Sequence, residues 1–435
     1  MPADASSTGP VAVVDRARLA RLDPSLATMA PIPGSRMFEI RDALAVYRRD
    51  FPDGEVFDAS QGDGGASLPG VPEELLDAAH ALQKERGTAY DQPFGCAAFR
   101  QAVVEAYWGL GAASGWGPAN VLAAQGGRDA LLKAYEAVQI LGFGRRGDFV
   151  VTSRVPWISY NWGPYEVGAN VMLAPGEEST GWAITPEAVR ACVDAAARLD
   201  GRRVAALVIT SPDNPTGRLQ PVKEQVALAR AAWAAGVPFV IFDWIYHWVT
   251  DASPFDLDAM LRGLSAAERE RCIVLDGITK SLGASNVRNA HLVAPERVVK
   301  LIQSRASHGV IPSFHSQAVA IAAYRMGFAA ACRPIVAPTN ESRRVLRERL
   351  ERWEVPHVLG QGYYAFIDVG RWMDRAGMAD SAQMGAYLAE QNGLAVVPGA
   401  YFSAWGARWI RFSYALAPEI AARAADRLRQ ALDAL

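Results

Sequence analysis

The chain has 435 residues, half of them hydrophobic and 21% charged, with 44 Lys and Arg against 46 Asp and Glu. That length supports a large core and predicts two domains. The net charge of −2 gives no electrostatic case for nucleic acid or an anionic membrane as a partner.

Residues 1–35 are rich in Ala, Ser, Pro and Asp and read as a loose N-terminal arm. Residues 37–50 have helical apolar spacing, and FDASQGDGGASLP at 57–69 is a Gly-rich turn after a short extended run. Residues 71–86 and 97–109 read as helices, separated by the loop YDQPFG at 90–95. From about residue 120, strands alternate with helices. The strands are expected at 121–125, 149–153, 171–174, 206–210, 239–243, 272–275 and 291–294, with helices at 128–140, 186–198 and 221–235. Apolar strands alternating with helices predict an α/β fold, a mostly parallel seven-stranded sheet sandwiched by helices. The text after 296 is mainly helical to 350. A smaller α+β portion follows, with YYAFIDV at 363–369, LAVVPG at 394–399, WIRFSYA at 409–415 and a last helix at 417–432.

Cys96, Cys192, Cys272 and Cys332 form no CxxC pair, which suggests neither zinc nor a disulfide framework and fits a reducing cytoplasm. No His spacing matches HxxxH or HExxH, so His247, His291, His308 and His315 read as structural rather than metal ligands. No apolar run is long enough to span a bilayer and no signal peptide is visible, so a cytoplasmic location is expected. GFGRRG at 142–147 matches GxGxxG but follows a predicted helix and precedes a predicted strand. A dinucleotide fingerprint needs the reverse order, so this is read as a helix end and turn.

The chemistry gathers at strand ends. QGGRDAL at 125–131 ends a strand and opens a helix, whose free N–H groups can hold a phosphate. PWISY at 156–160 sets an indole just past a strand, and SPDNPTG at 211–217 is an uncommon turn after another. FDWIY at 242–246 ends an apolar strand on Asp243, a buried carboxylate that needs a cationic partner. In VLDGITKSLGASNVR at 274–288, Lys280 follows an apolar strand and Arg288 stands eight residues on. Burial lowers an ammonium pKa and makes the amine nucleophilic, as Schiff-base chemistry requires. WIRFSYA at 409–415 puts Arg411 inside an apolar strand, as a carboxylate site would.

In this order and spacing, from about residue 35 to the C-terminus, these stretches resemble the fold-type I pyridoxal-phosphate enzymes, and most closely the class I/II aminotransferases of the aspartate aminotransferase superfamily. The resemblance implies pyridoxal 5'-phosphate as cofactor, bound as a Schiff base to Lys280. It implies that Asp243 pairs with the pyridine nitrogen, that Asn214 and Tyr246 bond the ring's phenolic oxygen, and that Trp157 stacks on the ring. Gly127, Arg128 and Asp129 at the helix start, with Thr279 and Arg288, would hold the phosphate, and Tyr90 would reach it across a homodimer interface. Arg411 would clamp the substrate α-carboxylate, while Gly62 lies in a segment that closes over the substrate. Amino-group transfer between an α-amino acid and a 2-oxo acid is the implied reaction. It also implies an arm at 1–35, a large cofactor-binding domain at 71–310, and a small domain built from 36–70 and 311–435.

Some positions depart from the family pattern: Gly62 is followed by Asp-Gly-Gly-Ala-Ser, Ser285 and Asn286 stand where Thr-Gly is common, and Trp244 follows the ring aspartate. These leave two rival outcomes open. One is elimination, replacement, cyclisation or oxidation on the same cofactor. The other is a cofactor-binding regulator without turnover, for which the first 35 residues are too short and too balanced in charge.

Overall fold

The computed structural model describes residues 12, 13, 32, 34, 36–143 and 145–435. The arm expected over 1–35 therefore falls almost wholly outside the described residues, as does Gly144 of the GFGRRG stretch.

The large sheet runs Ala12–Val13, Asn170–Leu173, Phe149–Thr152, Val204–Thr210, Phe239–Asp243, Cys272–Asp276, Ala290–Val293 and Val121–Ala124. The seven expected strands are all present, with Ala12–Val13 added antiparallel at one edge. The four pairings from Asn170–Leu173 across to Cys272–Asp276 are parallel, and Ala290–Val293 and Val121–Ala124 close the other edge antiparallel. The inner strands are buried along almost their whole length, which explains why they read as continuous apolar runs rather than alternating ones. Separate cores fill the two faces of the sheet.

The smaller unit is an antiparallel sheet in the order His357–Leu359, Tyr364–Asp368, Trp409–Ser413, Val397–Pro398. The helices Arg333–Arg352, Ser381–Asn392 and Pro418–Asp433 pack on it. The run expected at 394–399 is split: Leu394–Ala395 pairs in parallel with Phe57–Asp58, while Val397–Pro398 joins the antiparallel sheet. That split ties the beginning of the chain to its end, and the helix Met37–Asp50 packs on Ser381–Asn392.

The helix Phe314–Met326 lies against Glu73–Arg86 and Ala97–Ala102, and its side chains join a core of the large sheet. Along Arg333–Arg352, Ile335 belongs to the large-sheet core and Leu346 and Leu350 to the small one. This helix therefore contributes side chains to both cores.

Candidate active site

The parallel strands end on one edge of the sheet, and the loops beyond those ends carry the chemistry, as open α/β sheets arrange it. Phe239–Asp243 ends on Asp243, in register with Thr210 and Leu275 on its neighbours. Lys280 follows Cys272–Asp276 by four residues, and Asn214 sits in the turn after Val204–Thr210. The small unit faces these loops and contributes Arg411 from the strand Trp409–Ser413.

A cavity of about 680 Å³ lies between them. Lys280, Tyr246, Asn214 and Trp157 line it from the large unit, together with Arg128, and Gly62 and Arg411 line it from the other side. Lys280 Nζ donates to Gly62 O at 2.5 Å. Burial pushes the Lys280 ammonium below its ordinary pKa, and Arg411 and Arg128 add to the shift while Tyr364 and Asp63 oppose it.

Arg411 is 4% exposed. Its Nη1 donates to Asn214 Oδ1 at 2.9 Å and its Nη2 to Ser60 O at 2.7 Å, while Nε is buried without an acceptor. Its guanidinium lies 4.2 Å from the ring centre of Tyr364. Among the described residues no carboxylate pairs with it, so a buried cation stands with unused donors on the cavity wall.

Asp243 is 2% exposed and takes a hydrogen bond from Tyr160 Oη at 2.7 Å and one from Ile245 N at 3.1 Å. Burial raises its carboxyl to about 6. Among the described residues it has no cationic partner, and it is not one of the residues that line the cavity. Tyr246 Oη is 3.0 Å from Tyr364 Oη.

At the other end, Gly126 has φ +86° ahead of the helix Gly127–Gly142, a backbone state that favours glycine. Arg288, itself at φ +61°, lays its guanidinium against Gly126 and donates to Gln125 O at 3.0 Å and Ser285 O at 2.7 Å. Arg128 stands 5.2 Å over the Trp157 ring, and burial and Arg288 both lower its pKa. Two arginines and a helix N-terminus thus meet at one point, the arrangement that holds an anion. The Asp129 carboxylate is turned back onto Gln125 N and Lys133 Nζ, so this residue offers that point its backbone rather than its side chain. Thr279 is buried with its hydroxyl 3.4 Å from Asn289 O. Tyr90 is 92% exposed and is not brought to the cavity of its own chain.

A family model described as aminotransferase class I and II matches residues 55–428. The chain belongs to the class I and II aminotransferases. Curated relatives of this aminotransferase include the aspartate aminotransferase of Geobacillus stearothermophilus, 26% identical over 377 residues, 84% of this chain and 88% of that one. A probable aspartate/prephenate aminotransferase of Thermus aquaticus is 27% identical over 372 residues, 83% of this chain and 88% of that one. Among solved structures, an aminotransferase from Mycobacterium tuberculosis matches with a TM-score of 0.78 at 22% identity, covering 95% of this chain and 100% of the other. Aspartate aminotransferase from Thermus thermophilus with maleate matches at 0.76 and 23%, covering 94% and 99%. At that identity the likeness establishes the fold.

Several residues of this aminotransferase's site went unread in the sequence. Tyr160 bonds Asp243 and stands one helical turn after Trp157, a spacing that puts both on one side of the short helix. Asp63 caps the helix Gly64–Ser67 and accepts from Ser285 Oγ at 2.8 Å, which gives the altered Gly62 loop and the altered Ser285 position a shared contact. Tyr363 donates to Lys280 O at 2.5 Å. Trp157, Trp162 and Tyr364 line the cavity, whereas Trp244 is fully buried and donates to Gln225. His247 bonds Asp276 Oδ2 at 2.7 Å and His291 accepts from Trp108 Nε1 at 2.9 Å, inside a buried aromatic cluster. His308 and His315 are exposed. Among the described residues there is no cluster of metal ligands and no helix long and apolar enough to cross a membrane.

Proposed function

We propose that the cavity holds pyridoxal 5'-phosphate on Lys280 and moves an amino group from an α-amino acid to a 2-oxo acid. The observation that carries this reading is the opposition of a part-buried amine and a buried guanidinium with different needs. Lys280 has its pKa lowered by burial, and Arg411 has donors left over for a carboxylate. The other residues fit the group as well. Asp243, a buried carboxylate without a cation, suits a protonated pyridine nitrogen. Arg128, Arg288 and the start of Gly127–Gly142 suit its phosphate.

When bound, the group supplies an electron sink next to the substrate's Cα. The chain supplies the rest. Arg411 fixes the α-carboxylate in a forked pair, which sets the orientation of the Cα–H bond. Lys280 Nζ, depressed in pKa, would be the group that takes and holds the proton from the substrate's Cα. Asp243 would hold a proton on the ring nitrogen, Asn214 and Tyr246 would donate to the ring oxygen, and Trp157 would cover the ring face. The curated relatives are named for aspartate, an α-amino acid, which supports an amino acid as donor. The active unit in this reading is a homodimer, with Tyr90 serving the neighbouring subunit's phosphate site.

The test is a set of amino acids offered to purified holoenzyme, with 2-oxo acid and transferred amine followed by mass. Stoichiometric transfer to a second 2-oxo acid is the expected result. Release of ammonia, a cyclised product or an oxidised one in its place overturns the reading.

A further inference from the structure

Tyr364 is a chemical group that the reading above leaves unused. It opens the strand Tyr364–Asp368, is 2% exposed and lines the cavity. Its ring lies under the Arg411 guanidinium. Its hydroxyl presses on Gly62: a Cβ at that residue would fall 1.6 Å from Tyr364 Oη. Gly62 is also the residue whose carbonyl receives Lys280 Nζ.

Tyr246 Oη and Tyr364 Oη share one contact of 3.0 Å, and among the described residues neither hydroxyl has another. Two phenols carry two protons, and one contact uses one of them. Burial raises the pKa of Tyr246 well above the ordinary value, so it keeps its proton. The second proton is left for something that enters the cavity. The charged and titratable groups around this pair and Lys280 are Arg411, Arg128, Asp63 and Tyr363. Arg411 donates elsewhere, Asp63 is engaged by Ser285, and Tyr363 donates to Lys280 O.

We propose that Tyr364 is a positioning residue whose hydroxyl donates to Tyr246 Oη and so directs the Tyr246 proton into the cavity, toward the ring oxygen of the cofactor. This rests on the reading that Lys280 carries the cofactor and Tyr246 faces that oxygen. A phenol that accepts one hydrogen bond is a stronger donor in the next. A stronger donor stabilises the negative ring oxygen without help from the protonated nitrogen beside it. The nitrogen linked to Lys280 then gives up its proton at lower pH. Loss of the donor raises that midpoint.

The experiment is an absorbance titration of holoenzyme against pH for the wild type, Tyr246→Phe, Tyr364→Phe and the double variant. Tyr364→Phe keeps the ring beneath Arg411 and removes only the hydroxyl. It is expected to raise the midpoint by about a third as much as Tyr246→Phe does, and the double variant is expected to match Tyr246→Phe alone. Placing 3-fluorotyrosine at 364, a stronger donor of nearly the same shape, is expected to lower the midpoint, and this arm decides the matter if Tyr364→Phe does not fold. Three outcomes overturn the proposal while leaving the cofactor reading intact: a midpoint moved by Tyr246→Phe but not by Tyr364→Phe, additive shifts in the double variant, or a larger shift for Tyr364→Phe than for Tyr246→Phe. The absence of any Lys280-linked absorbance, or no shift in Tyr246→Phe, overturns the cofactor reading and the proposal with it.

Discussion

Arg411 Nη1 donates to Asn214 Oδ1 across 2.9 Å, joining a strand of the small unit to the SPDNPTG turn of the large one. The contact uses the amide oxygen, and among the described residues the Asn214 amide nitrogen makes no hydrogen bond, so the same side chain orients the arginine and offers a donor to the cavity. Arg411→Lys keeps the charge and loses the fork. Its kcat/KM is expected to fall about 100-fold, about 3 kcal/mol of transition-state stabilisation. An unchanged value in steady-state kinetics would point to another carboxylate clamp.

Lys280 is the expected point of attachment. Borohydride reduction of the holoenzyme, followed by peptide mapping, should leave the cofactor on the peptide that contains Lys280. A label on Lys133, which is held by Asp129, or on Lys300, which pairs with Glu296, would rule the assignment out.

Gly62 is required by contact. A Cβ there would meet Tyr364 at Oη (1.6 Å) and at Cζ (2.7 Å). Gly62→Ala is therefore expected to cost about 1–3 kcal/mol of stability and to disturb the carbonyl that Lys280 uses. Tyr364→Phe removes the nearest clashing atom and leaves Cζ at 2.7 Å, so it should restore part of the Gly62→Ala melting temperature. Equal melting temperatures for wild type and Gly62→Ala would show that the loop gives way freely.

Asp243 gives a pH dependence with a definite sign. Its folded-state pKa is raised to about 6 from an ordinary value of 3.8, so the folded state holds the proton more tightly than the unfolded chain. In cofactor-free protein its contribution to stability is full below 3.8 and is lost as pH rises through about 6. Asp243→Asn, neutral throughout, is expected to melt above the wild type at pH 8 with cofactor removed, and the two curves should converge near pH 4. A variant that melts below the wild type at pH 8 would mean that a cation already pairs with Asp243.

Tyr90 is almost fully exposed in the single chain, which makes it the residue that best reports on a second copy. Tyr90→Phe and Lys280→Ala, each impaired alone, are expected to recover part of the activity when mixed and allowed to exchange subunits. No recovery after exchange has been demonstrated by mass would argue that each site is built from one chain.

The large sheet was legible in the sequence because its strands are buried on both faces, so burial wrote itself as unbroken apolar runs such as Phe239–Asp243. Asp243 and Arg411 were legible because a charge inside an apolar run has no structural excuse, and Lys280 by its place just past such a run. Tyr160 and Tyr364 were not, since an aromatic residue in an apolar stretch is ordinary and the meaning lies in where its hydroxyl ends. The two-residue pairing of Phe57–Asp58 with Leu394–Ala395 was invisible because neither segment is long enough to show a period and the partner lies at the far end of the chain.

That pairing has a consequence for synthesis. Phe57–Asp58 and Ser60, whose carbonyl receives Arg411, are among the early residues to emerge from the ribosome, and their partners Leu394–Ala395 and Arg411 are among the late ones. The sheet from Val121–Ala124 to Ala290–Val293 is complete well before then. A nascent chain thus carries Lys280 and Asp243 while its early segment still waits for a place. The Arg411 side of the cavity is assembled only when the small unit closes on itself. A stalled chain that ends before Trp409–Ser413 carries Lys280 but lacks Arg411 on the facing wall of the cavity.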